Sequence, residues 1–104
     1  MQAVWYHRRV SEYADELDEN FANLIVYIGQ MAAMAFGDLA DASGQAPEPN
    51  IEAAGMFVEM LGMLQEKTRG NLTAAESKVL EGLLYDLRMR YVQAQGGQKR
   101  IIEP

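Results

Sequence analysis

Residues 63–92 read MLQEKTRGNLTAAESKVLEGLLYDLRMRYV, and this stretch decides the fold. Gly70 follows Lys67 and Arg69, basic residues that suit a helix C-terminus, and stands where a left-handed residue would end a helix. Thr73 and Glu76 then form a capping box: the hydroxyl accepts from the Glu76 backbone N–H while the carboxylate reaches back to the Thr73 N–H. The two signals predict a helix hairpin with a short, specified turn.

Working outward, residues 74–95 predict one helix of this hairpin. Val79, Leu80, Leu83, Leu84, Leu87 and Tyr91 recur at helical spacing as its core face, with Gly82, Tyr85, Met89 and Val92 on another side. Arg88 and Arg90 fall near the two edges of the core face, and Asp86 is one turn from Arg90 and able to pair with it. The other helix, residues 51–69, behind the N-cap Asn50, has the same two-sided character. Ala54, Phe57, Val58, Leu61 and Leu64 form a core face, Met56, Met60 and Met63 lie roughly opposite, and Glu52, Glu59 and Glu66 run between them. A methionine stripe reads either as gap-filling core or as a surface for a second chain.

Residues 21–39 (FANLIVYIGQMAAMAFGDL) predict a third helix, apolar around almost its whole circumference and so expected to be buried on several sides. Ala22, Gly29, Ala32 and Ala33 would let another helix approach closely. A membrane span is not expected, since the uncharged run is short, holds Asn23 and Gln30, and is followed by acids. The linker 38–50, with Gly44, Pro47 and Pro49, permits an antiparallel return or a crossing. Residues 1–20 read as an N-terminal helical extension, either continuous with the next helix or separated from it by a cap at Asn20. Residues 96–104, after Gly96 and Gly97, read as a flexible tail. The expected architecture is all-α: a helical domain over 21–95 built from helices at about 21–39, 51–69 and 74–95.

The formal charge of −6 is unevenly spread. Residues 1–60 carry ten acids against Arg8 and Arg9, and residues 61–104 five acids against seven bases, so the parts stand at −8 and +2. Most of such a surface repels nucleic acid. With no Cys there is no disulfide framework or thiolate metal site. The first residues lack the basic-then-apolar order of a secretory signal, which makes the cytoplasm the expected compartment.

Nothing here predicts an enzyme. There is no glycine-rich phosphate loop after a strand, no serine in a nucleophile elbow, and no Glu-x-x-His pair for a bundle metal centre. His7, the only histidine, has no partner at ligand spacing. No cofactor and no metal are expected. Two polar clusters are candidate binding residues: Lys67, Arg69 and Asn71 about the hairpin turn, and Arg88, Arg90 and Tyr91 on the last helix. These could grip a carboxylate or phosphate of a partner, or simply bond helix-end carbonyls and Asp86.

Apolar residues on two sides of every helix exceed what a three-helix monomer can cover. A homo-oligomer is therefore expected, most simply a two-fold dimer centred on residues 21–39. Its interface would take Ile28, Ala32, Ala33, Met34 and Phe36 together with Met56, Met60, Met63, Tyr85 and Met89. The expected function is a non-enzymatic helical module that self-associates and offers the Arg88/Arg90 edge or the turn to another protein. The alternative is a nucleic-acid or ribosome-associated regulatory factor using Lys67, Arg69, Arg88, Arg90, Lys99 and Arg100, which the acidic balance disfavours. A membrane surface is disfavoured by the lack of a basic polar face on 21–39.

Residues 64–92, above all KTRGNLT at 67–73 and LYDLRMRY at 84–91, resemble the C-terminal signature of an uncharacterised bacterial family of small helical proteins, the domain of unknown function numbered 1844. The likeness extends more loosely back to about Phe21 and leaves residues 1–20 outside. It implies an all-helical fold and transfers no activity and no binding residue.

Overall fold

The computed structural model describes residues 16–40, 42–45 and 48–102, the last six through their backbone only. Three helices and no strand are present among them: α1 is Glu19–Phe36, α2 is Ile51–Lys67 and α3 is Ala74–Ile102. The all-α expectation holds, with shifted boundaries. The reading of 1–15 as helical lies outside the described residues.

Each helix end has a local cause. Asp18, not Asn20, caps α1: its side chain accepts the Phe21 N–H at 3.0 Å. Residues 16–18 are not helical, so α1 does not run on from the preceding segment. The apolar period predicts α1 to residue 39, but the helix stops at Phe36 because Gly37 is left-handed (φ 84°). The Gly37 N–H donates to the Met34 carbonyl and the Asp38 N–H to the Ala33 carbonyl, a Schellman closure. Asn50 caps α2 as expected, accepting from the Ala53 N–H at 3.0 Å. That helix ends at Lys67 rather than 69: the Thr68 N–H and hydroxyl still donate to the Leu64 carbonyl, but the Arg69 N–H turns to the Glu66 carbonyl, and Gly70 (φ 86°) supplies the left-handed residue inside the turn. Helix α3 passes through Gly96 and Gly97, where a tail was expected, to Ile102. The flanking Gln, Ala, Lys and Arg are strong helix formers and no proline intervenes before Pro104.

The linker makes an antiparallel return. Asn50 N–H donates to the Ala35 carbonyl at 2.7 Å, so α2 starts beside the end of α1. The α2–α3 turn reverses the chain again, leaving α1 and α3 parallel with α2 antiparallel to both. The core is one stripe from each helix: Ile25, Ala32 and Phe36 on α1, Ala54, Val58 and Leu61 on α2, and Leu80, Leu84 and Leu87 on α3. Full burial of each of the larger side chains stabilises by about 1.5–3 kcal/mol. Phe21, Ile28, Phe57, Leu64, Leu83 and Tyr91 pack around this centre.

Two expectations about faces are corrected. Helix α1 is buried along one stripe only; Leu24, Val26 and Tyr27 are exposed at 45, 47 and 62%. An apolar circumference gives no preferred side, so burial on several sides did not follow from it. Val79, assigned to the core face of α3, is also exposed, because it falls at the far margin of that stripe.

Candidate functional site

The capping box at the start of α3 forms as predicted and does more than close a helix. Thr73 N–H donates to Glu76 Oε1 at 2.8 Å and Glu76 N–H to Thr73 Oγ1 at 3.1 Å. Glu76 Oε2 accepts the Asp18 N–H at 2.7 Å, and the Thr73 hydroxyl donates to the Glu16 carbonyl at 2.6 Å. The starts of α1 and α3 are thus tied through one carboxylate that is buried yet fully used. No local signal announced the partner 58 positions away.

The candidate binding residues do not converge. Lys67, Arg69 and Asn71 are exposed at the hairpin turn, where Arg69 leans on Glu66 and the Asn71 N–H donates to the Thr68 carbonyl. Beside them an open cleft of about 220 Å³ is lined by Gln65, Thr68, Leu72 and Ser77, among others. That is below the roughly 300–1,000 Å³ of small-molecule pockets. Arg90 is about 24 Å further along α3, at 1.5 Å rise per residue, towards the opposite end of the bundle.

The expected Asp86–Arg90 pair is not formed. Arg90 instead donates from Nε and Nη2 to the two oxygens of Asp38, each at 2.8 Å, with its guanidinium 4.9 Å from the Phe36 ring centre. The Schellman turn at Gly37 delivers Asp38 to that place, and a two-point fork lying on an aromatic face outcompetes one contact to Asp86. The hydrogen bonds from Arg90 hold the Asp38 carboxyl below its ordinary value and raise Arg90 in return. Tyr91 is half-buried with its ring against Gly55, where an added Cβ would stand 2.9 Å from Cε1. Arg88 is exposed and its Nη2 reaches over Gly62, 3.2 Å from where a Cβ would be.

These contacts fix which way α2 and α3 face. Leu83 and Arg90 mark the α1 side of α3, through Gly29 and Asp38, while Arg88 and Tyr91 mark its α2 side. The arc left over carries Gly82, Tyr85, Met89 and Val92. On α2, Gly55 and Gly62 face α3, and Met56, Met60 and Met63 turn outward beyond the Glu52, Glu59 and Glu66 strip. The proposed interface residues therefore divide. Ala32 and Phe36, 0 and 2% exposed, belong to the chain's own core and have no surface to offer. Ile28, Ala33 and Met34 are half-buried on α1. Met56, Met60, Met63, Tyr85 and Met89 are open.

Among the described residues no group of His, Cys, Asp or Glu side chains is placed to hold a metal ion. Nor is any helix there long and apolar enough to cross a membrane. A family model described as "Domain of unknown function (DUF1844)" matches residues 18–93, beginning at the cap of α1 and ending within α3. No curated protein and no solved structure matches the chain.

Proposed function

The chain belongs to the DUF1844 family, a domain of unknown function, and from that premise we propose that it is a non-enzymatic helical module for self-association and protein binding. One observation carries this reading. The core closes without Met56, Met60, Met63, Tyr85 and Met89, which remain 40 to 65% exposed on the outer side of the hairpin. Adaptable thioethers and an aromatic left open at the surface are suited to another protein. The basic residues support the nucleic-acid alternative less well, since Arg69 and Arg90 are already paired with carboxylates of the chain.

Sedimentation equilibrium over a wide range of protein concentration, without detergent, tests the proposal. The expected result is a mass above that of the 11.6 kDa chain, rising with concentration. A single monomer mass throughout that range would overturn self-association.

A further inference from the structure

Around α2, at about 3.6 residues per turn, Gly55 and Gly62 face α3, and the glutamates at 52, 59 and 66 come next. Met56, Met60 and Met63 follow, and then Phe57 and Leu64 on the side turned to α1. The methionines therefore border α1, with the glutamate strip between them and α3. On α1, Gly29 marks the α3 side through Leu83, and Leu24, Tyr27 and Met31 lie on the arc next to α2. The Asn50–Ala35 bond sets the register: Leu24, eleven residues back from Ala35, stands level with Leu61, eleven on from Asn50, and Tyr27 stands level with Val58. Leu24, Tyr27, Met56, Met60 and Met63 are 40 to 62% exposed, and Phe57 and Leu64 lie half-buried between them. No charge interrupts this surface, since α1 has none between Glu19 and Asp38. It is on the order of 500 Å². That is short of the roughly 800 Å² per side of a stable interface between globular partners and suits a single helix laid in the groove.

The rim is acidic. Glu52, Glu59 and Glu66 run along the α2 edge, two turns apart, and Asn23 and Gln30 stand exposed and uncharged on the outer arc of α1. Arg69 holds Glu66, and Lys67 at the end of α2 is level with Asp18 and Glu19. Glu52 and Glu59 have no ion-pair partner among the described residues. A second copy presenting the same face cannot supply one. One two-fold arrangement lays α2 on α2 and sets glutamate against glutamate; the other lays α2 on α1 and sets the strip against Asn23 and Gln30.

We infer that the α1–α2 face docks an amphipathic helix of another protein, with apolar residues in the groove and Lys or Arg along the flank that meets Glu52 and Glu59. This rests on the protein-binding part of the reading above and names the partner's chemistry. The methionines adapt to the apolar side chains of such a helix, as unbranched thioethers do. The seven-residue spacing of the glutamates calls for bases at the same interval, two turns apart on the bound helix.

The test is fluorescence anisotropy on the full chain, with far-UV circular dichroism to verify folding. Two labelled peptides serve as probes, both with leucine on one helical face, one carrying lysine along its flanks and the other glutamate. The lysine peptide should bind at least about tenfold tighter than the glutamate peptide at physiological salt. Met60→Glu should weaken the lysine peptide by about tenfold or more, although its added charge would strengthen a merely ionic attraction. Glu59→Lys should weaken the lysine peptide by about fivefold and tighten the glutamate one. Asp86→Lys, the same change of charge at an exposed position on α3, should alter neither by more than about twofold. Equal losses from Glu59→Lys and Asp86→Lys would reduce the attraction to net charge and overturn the site, as would a lysine peptide indifferent to Met60→Glu. A wild-type chain that binds neither peptide would overturn it too, leaving a second copy as the cover if that chain sediments as a dimer. A monomer that binds as described would keep this inference and remove self-association alone.

Discussion

Glu76 accepts the backbone N–H of Asp18 at 2.7 Å while its other oxygen holds the N–H of Thr73, so a single carboxylate closes the start of α3 and anchors the entry to α1. Both donors are backbone groups that a helix start leaves without partners. With 6% exposure, water has little access to replace the carboxylate if it is removed.

Glu76→Ala should therefore cost about 2–3 kcal/mol, the range for losing hydrogen bonds to a charged group and orphaning their donors. Glu76→Gln should cost less, since the amide oxygen still serves one N–H while the NH₂ opposes the other. Thermal unfolding at fixed protein concentration should show a fall of about 10 °C for Ala, roughly half that for Gln, and little change for Thr73→Ser, which keeps the hydroxyl. A Glu76→Ala chain as stable as wild type would mean that the tie between α1 and α3 contributes nothing.

The Asp38–Arg90 pair should make part of the stability depend on pH. The Arg90 hydrogen bonds, aided by its charge, hold the folded-state pKa of Asp38 below its ordinary value of 3.8, against a smaller opposing effect of burial. A carboxyl depressed on folding stabilises above its unfolded pKa, and the contribution is lost as pH falls through the folded value. The Asp38 side chain is 41% exposed, so the pair is worth no more than about 1 kcal/mol. Denaturant titration should show Asp38→Asn less stable than wild type by about 0.5–1 kcal/mol at pH 7, with the gap closing between about pH 5 and pH 2. A gap that persisted undiminished at pH 2 would argue against an electrostatic origin.

How much of this was legible from the residues depends on range. The Thr73–Glu76 box, the Asn50 cap and, Val79 apart, the inward stripes of α2 and α3 all express contacts within about two turns, and each stands where the spacing puts it. Helix α1 was readable as a helix but not as an oriented one: with apolar residues on every side, only its neighbours decide that Ile25 and Phe36 go inward and Tyr27 outward. Misjudging that side is what put Ala32 and Phe36 into an oligomer interface. Asp38 with Arg90 and Asp18 with Glu76 span 52 and 58 positions, and no local pattern encodes them. For the candidate site, the residues of the outer face were legible as a second apolar stripe, whereas Gly82 shows its empty surroundings only in the fold.

Gly37→Ala should destabilise by about 1 kcal/mol or slightly more. Its φ of 84° puts any Cβ in a conformation that L-residues rarely adopt, and the Schellman bonds that place Asp38 under Arg90 depend on that turn. Gly37→Asn should recover part of the loss, because Asn visits the left-handed region more readily than Ala. Equal stability of the two variants would show that the turn relaxes to another cap.

Two helical glycines give the sharpest contrast. At Gly82 nothing lies within 4 Å of the added carbon, so Gly82→Ala should stabilise the folded chain by about 0.5–1 kcal/mol through helix propensity alone. The measurement belongs at low protein concentration, where self-association would not enter. At Gly55 the same propensity gain is opposed by the Tyr91 ring, 2.9 Å from the new carbon at Cε1 and 3.3 Å at Cζ. Tyr91 packs against the core, so moving its ring gives up buried contact, and Gly55→Ala should be neutral to destabilising by about 1 kcal/mol. In a Tyr91→Leu background the clash is gone, and Gly55→Ala should become stabilising by about as much as Gly82→Ala. The double-mutant cycle isolates that change as a coupling of about 1–2 kcal/mol between residues 55 and 91. Additive effects would mean that the ring does not rest on Gly55, and that α2 and α3 are held together there by other contacts.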